Sequence, residues 1–165
     1  MLGTGRYLSA WPRSVADNEV DKGEAMANWT GGCLCGAVRY ECEGDPASVG
    51  ICECTRCQRN SGSAFLIGVI WPKENVTIKG DLKTYEAFVH GPDKGLYRHF
   101  CPECGSSVSI TLDRYPEIRS MLGGTLDERV KVKPTFGVWH SDGQEWMRFP
   151  EDMELHADYP EGTFG

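Results

Sequence analysis

The chain has 165 residues and a formal net charge of −7, room for one domain with its own core but not comfortably for two. The acidic balance, with no Lys/Arg block to offset it, argues against a nucleic-acid-binding surface. No run approaches the roughly 18 apolar residues that a membrane-spanning helix needs, so no membrane partner is expected. Eight cysteines and 20 glycines stand out.

Taken from the N-terminus, residues 1–25 are polar, aperiodic and interrupted by Pro12, with no continuous apolar core of the kind a secretory signal carries. They are expected to be a mobile tail without chemistry, followed by a single zinc domain over residues 26–165. With no export signal, closely spaced cysteines read as metal ligands in a reducing, cytoplasmic setting rather than as a disulfide framework.

From residue 31 onward the pattern is one of strands and turns. In "AVRYECEG", Val38, Tyr40 and Cys42 share one face while Arg39, Glu41 and Glu43 share the other, the alternation of a half-buried strand. "AFLIGVIW" is apolar on both faces and predicts a covered central strand ending at Pro72. "NVTIKG", "LKTYEAFV", "GLYRHF" and "SSVSITL" are further short strands, with "HGPDKG" as a turn. "TFGVWHSDGQEWMRF" predicts a hairpin turning at Asp142-Gly143. Helical periodicity is short, so the expected class is mainly β with at most one or two short helices.

The cysteines sort into two groups. Cys33-Leu34-Cys35-Gly36 and Cys101-Pro102-Glu103-Cys104-Gly105 are two short chelates far apart in the chain. Pro102 presets the second turn and Gly105 permits the positive φ that closes it. Joined, they make a four-thiolate tetrahedron around a structural zinc, closing a loop of about 65 residues. A redox dithiol at Cys101/Cys104 fits less well, because a strand pattern rather than a helix follows it.

Cys52, Cys54 and Cys57 lie within "CECTRC". Three ligands with one position left over is the pattern of a catalytic zinc. Three thiolates leave such an ion electron-rich, better suited to a soft fourth ligand such as a small thiol than to generating hydroxide. Arg56 and Arg59, beside Cys57, are candidates to attract an anionic substrate. Three side chains compete for the fourth position and would make the site structural: Cys42, His90 and His99.

"GGCLCGAVRY", "CECTRCQRNSG", "FCPECGSSV" and "GTLDERVKVKPTFGVW", in that order, resemble the glutathione-dependent formaldehyde-activating enzyme (GFA) family, also called the CENP-V/GFA domain, from about residue 30 to residue 160. The resemblance implies an Mss4-like fold of several small coiled antiparallel sheets around a structural zinc. It implies structural-zinc ligands at Cys33, Cys35, Cys101 and Cys104, and a second, catalytic zinc at Cys52, Cys54 and Cys57. The activity it implies joins glutathione and formaldehyde into S-hydroxymethylglutathione, formally a carbon–sulfur lyase reaction in reverse. Glu53 stands where the family often has His, and in an extended segment it is expected to point away from its two flanking cysteines. The rival from another class is a non-catalytic binding or assembly module with two structural metal sites. Methionine sulfoxide reduction fits less well, since those reductases pair two C-x-x-C chelates and keep a separate nucleophilic cysteine.

Overall fold

The computed structural model describes residues 28–88, 95–128 and 131–159. The expected tail over residues 1–25 and most of the "HGPDKG" turn lie outside them. The mainly β expectation holds: eleven strands and one α-helix are found among the described residues.

Strands β1 (Asn28–Gly32), β2 (Arg39–Glu43) and β5 (Val76–Lys79) form a three-stranded antiparallel sheet, with β2 in the middle. The alternation in β2 is realised residue by residue, with Tyr40 and Cys42 buried and Arg39, Glu41 and Glu43 exposed. A second sheet of eight strands contains β3 (Ser48–Cys52), β4 (Leu66–Pro72), β6 (Lys83–Phe88), β7 (Gly95–Phe100), β8 (Ser107–Leu112), β9 (Tyr115–Leu122), β10 (Phe136–Val138) and β11 (Glu154–Leu155). Its order is β11-β10-β3-β4-β9-β8-β7-β6. The single helix, α1 (Thr55–Ser61), connects β3 to β4 and stops at Gly62, whose φ of 64° is left-handed.

β4 lies between β3 and β9 and is covered on both faces, as its unbroken apolar run required. Successive residues of a strand point to opposite faces, so the run feeds two cores. Ile67, Val69 and Trp71 pack toward the small sheet with Val38, Tyr40, Cys42, Val108, Met121 and Leu126. Leu66 packs on the other face with Cys57, Ile110 and Leu122, under α1. A β-bulge in the β7–β8 pairing, between His99 and Phe100, breaks the alternation there. Val108 thereby joins the first core while Ile110 joins the second, which a regular strand would not allow.

The hairpin expected at Asp142-Gly143 is not formed. β10 pairs in parallel with both β3 and β11. Trp139 then takes a left-handed φ of 59°, which ends the strand, and residues His140–Asp142 make a 3-10 turn. The turn residues Asp142-Gly143 serve a tight turn after one strand rather than a reversal between two. The segment beyond it returns alongside: the N–H groups of His140 and Ser141 donate to the carbonyls of His156 and Ala157.

Trp71 is fully buried between the sheets, edge-on to Trp29, and its indole N–H donates to the Gly44 carbonyl at 3.0 Å. Replacing it, Trp71→Ala, is expected to lower stability by about 3–5 kcal/mol through the cavity and the lost contact. Equilibrium urea denaturation of the two proteins checks this.

Candidate metal centres

The first cysteine group is built from two turns. The connection from β1 to β2 carries Cys33 and Cys35, and that from β7 to β8 carries Cys101 and Cys104. Each turn is closed by backbone hydrogen bonds: Cys33 N–H to Val38 O at 3.0 Å, and Cys101 N–H to Ser106 O at 3.0 Å. Gly36 and Gly105 supply the positive φ values, 81° and 73°, that let each chain turn around its sulfurs. The four sulfurs lie within 4.8 Å of one another, and Cys35 Sγ is 3.8 Å from Cys101 Sγ although 66 residues separate them. Leu34 N–H donates to Ser106 Oγ, a second tie between the turns. Hydrogen bonds from the hydroxyl and backbone of Ser106 hold the Cys104 thiol down to about 5, while at Cys35 the lowering bond from the Ala37 backbone is outweighed by those to Cys33 and Cys104, which push its thiol up to about 12.

The second group sits on the opposite face of the large sheet. Cys52 ends β3, Cys54 caps α1, and Cys57 lies one turn into that helix on its buried side. Their sulfurs also lie within 4.8 Å of one another. Cys57 N–H reaches Cys54 Sγ at 3.4 Å. Hydrogen bonds from the Cys52 and Cys57 thiols, and from the Cys57 and Arg56 backbones, hold Cys54 far below the usual thiol range. Cys52 is pushed up, because its hydrogen bonds to Cys54 and Cys57 and its burial all favour the protonated form. Three thiols so close titrate as one coupled group rather than as three separate residues.

The remaining sequence candidates fall into place around these groups. Cys42 is wholly buried, and burial raises its thiol to about 12. It joins neither group and behaves as a small core side chain. His99 lies between Thr84 and Thr111, hydrogen-bonded to both hydroxyls, and also joins neither group. His90 lies outside the described residues. Arg56 and Arg59 are exposed on α1.

Glu53 points away from the sulfurs, as an extended backbone demands, and is fully buried. His140 Nδ1–H donates to its Oε2 at 2.7 Å. Gly143 lies so close that a Cβ there would sit 2.5 Å from Glu53 Oε1. Gln58 Nε2 donates to the carbonyls of both Glu53 and Asp142. These bonds pin the cysteine segment to the turn at 140–143.

Two residues at the second group were passed over in the sequence. Arg98, on β7, places Nη2 at 3.8 Å from Cys57 Sγ. Tyr159, in the segment that returns beside the turn, is hydrogen-bonded through its hydroxyl to Cys52. Burial and the neighbouring sulfur charges push that phenol well above its ordinary range. Tyr159 carries no local signal, because it follows the last strand. The alternation of "GLYRHF" does set Arg98 on the face of Leu96, where an apolar residue is expected, and that was the available hint.

Four thiols in one group and three in the other are soft donor sets, and either group could hold a metal ion. Residues 28–142, which include both groups, match the family model of the glutathione-dependent formaldehyde-activating enzyme. The chain belongs to that family. A relative from Halomonas elongata, provisionally named for the same enzyme, is 27% identical over 138 residues, covering 79% of this chain and 88% of the relative. Relatives from Aspergillus flavus and Aspergillus oryzae, named in the same way, are 31% identical over 101 residues, 57% of this chain and 50% of theirs. The chain thus matches only about half the length of these fungal relatives of the GFA family. A solved structure of a Rhodobacter sphaeroides protein aligns with a TM-score of 0.48 at 22% identity, over 64% of this chain and 91% of that one. No helix among the described residues is long and apolar enough to cross a membrane.

His140→Ala would leave the buried Glu53 carboxyl without its histidine partner, at an expected cost of about 1–3 kcal/mol. Chemical denaturation under reducing conditions measures it; an unchanged midpoint would show that the Glu53–His140 pair does not hold the turn.

Proposed function

We propose that this GFA-family chain is a zinc-dependent enzyme of carbon–sulfur lyase type that handles adducts of a small thiol. Its most economical reaction joins glutathione and formaldehyde into S-hydroxymethylglutathione. The observation that carries the reading is the contrast between the two groups. Four sulfurs meet in one, whereas among the described residues only three sulfurs meet in the other, with no further Cys, His, Asp or Glu ligand atom grouped with them.

In this reading Cys33, Cys35, Cys101 and Cys104 hold a structural zinc, and Cys52, Cys54 and Cys57 hold a second. When bound there, zinc supplies a soft acceptor with one position to keep a substrate thiol as thiolate near pH 7. The chain's own residues do the rest. The three cysteines fix the ion at the sheet end, α1 presents Arg56 and Arg59 to draw in the carboxylates of glutathione, and the buried Glu53–His140 pair holds the segment in place. In the net reaction the thiol sulfur bonds to the aldehyde carbon while the carbonyl oxygen takes the thiol proton, so no oxidant or reductant is needed. Chemistry resting on free thiols suits a reducing compartment, and the described cysteines are all unbridged.

One observation favours the rival reading of a binding module with two structural metal sites. The Tyr159 hydroxyl is hydrogen-bonded to Cys52, so a protein group already engages one of the three sulfurs.

Native mass spectrometry with glutathione titrated in separates the two. Two zincs and a glutathione adduct that perturbs the more labile one support the enzyme; two firmly held zincs and no adduct support the module. For the chemistry itself, Cys54→Ser is expected to reduce the rate of adduct formation, measured by NMR of labelled formaldehyde with glutathione, to that of the enzyme-free reaction, while leaving circular dichroism unchanged. A fully active Cys54→Ser protein would sink the mechanism.

A further inference from the structure

Each sulfur of the three-cysteine group receives a hydrogen bond from a different part of the fold. Cys54 accepts from the Cys57 N–H in α1, Cys57 from Arg98 Nη2 on β7, and Cys52 from the Tyr159 hydroxyl. Arg98 is the unusual member. It is only 8% exposed, and its other terminal nitrogen, Nη1, is buried with no hydrogen-bond partner among the described residues. It makes no ion pair with a carboxylate among them either. A guanidinium does not give up its proton in a protein. A buried, permanent cation without a counter-charge is strongly unfavourable, so an anion belongs beside it. The group in contact with it is Cys57, and through Cys57 the whole three-sulfur group.

We propose that Arg98 is the charge-compensating residue of the three-cysteine metal site. The inference rests on the reading that this group holds zinc. Three thiolates around a divalent ion carry one net negative charge, and Arg98 cancels it. An anionic thiol ligand then joins a neutral assembly and leaves one negative charge, where without Arg98 it would leave two. Arg98 therefore favours both retention of the metal and capture of a thiolate, as a positioning residue acting through Cys57. Arg56 and Arg59 cannot substitute for it, because exposed charges are screened by water and salt. The four-cysteine group has less need of such a cation, since Cys35 is exposed and Cys104 half-buried, and water can solvate the excess charge.

The test uses the full chain with Arg98→Met, which keeps an unbranched apolar stem, and Arg98→Lys, which keeps the charge. Zinc stoichiometry and affinity are measured by competition with a chromophoric chelator, and the second site is also read by cobalt substitution. Arg98→Met is expected to hold its first zinc as the wild type does and to bind the second about 10- to 100-fold more weakly. Its sulfur-to-cobalt charge-transfer band should move to longer wavelength, since a thiolate without its donor is more easily oxidised. Arg98→Lys should recover most of the affinity. If Arg98→Lys is as weak as Arg98→Met, packing rather than charge is at work and the inference falls. Two zincs bound equally well by all three proteins, with an unmoved cobalt band, would overturn this inference alone. A wild-type chain that holds only one zinc would overturn it together with the reading beneath it.

Discussion

The structure depends on the meeting of two cysteine turns that lie 66 residues apart at their nearest sulfurs. One turn belongs to the small sheet and the other to the large sheet. Their approach fixes where the Tyr40–Cys42 face of β2 can lie against Val69, Trp71 and Val108. Both turns have the same construction, a backbone hydrogen bond across the mouth and a left-handed glycine behind the last cysteine of each pair. Hydrophobic burial alone is non-directional and would tolerate the sheets sliding on one another. Four sulfurs confined within 4.8 Å would not.

The second cysteine group follows from that arrangement by strand alternation. Once odd-numbered β4 residues face the small sheet, Leu66 must face the other way, and the register pairs Leu66 with Cys52. Cys52 therefore emerges on the far face, where among the described residues no second sheet lies against it and α1 covers it instead. The bulge in β7–β8 lets one strand serve both faces, with Val108 in one core and Ile110 in the other. Arg98, opposite Ile110 in register, is delivered to the same face as Cys57. The distance in sequence between the residues of this group is spanned by sheet pairing, not by local chain geometry.

That difference decides what could be read in advance. The spacing of Cys33, Cys35, Cys101 and Cys104, and of Cys52, Cys54 and Cys57, is local, so the two groupings were visible in the sequence, as was the inward face of Cys42. Most strands were visible too, because alternation needs only five or six residues. The pairing of β10 was not. "TFGVWHSDGQEW" carries a good hairpin signal, yet Trp139 takes a left-handed conformation there and β10 finds a parallel partner in β3, far away in sequence. Tyr159 and Arg98 were missed for the same reason. An arginine in a strand is unremarkable until the sheet register shows which sulfur it reaches.

Charge gives the two groups their different characters. The chain as a whole is acidic, with a formal charge of −7, so its average field repels an anionic thiolate. Long-range attraction is thus a poor basis for capturing one, and whatever favours capture must act at contact distance. A cation exposed on α1 acts through water and loses most of its reach at physiological salt. A guanidinium buried against Cys57 acts through a medium of low polarisability, where the same charge counts for several times more. The same burial would make it a liability beside an uncharged group. Arg98 therefore has a reason to be where it is if the Cys57 sulfur it touches is anionic, and in the proposed reading three thiolates around one divalent ion are the simplest arrangement that makes it so.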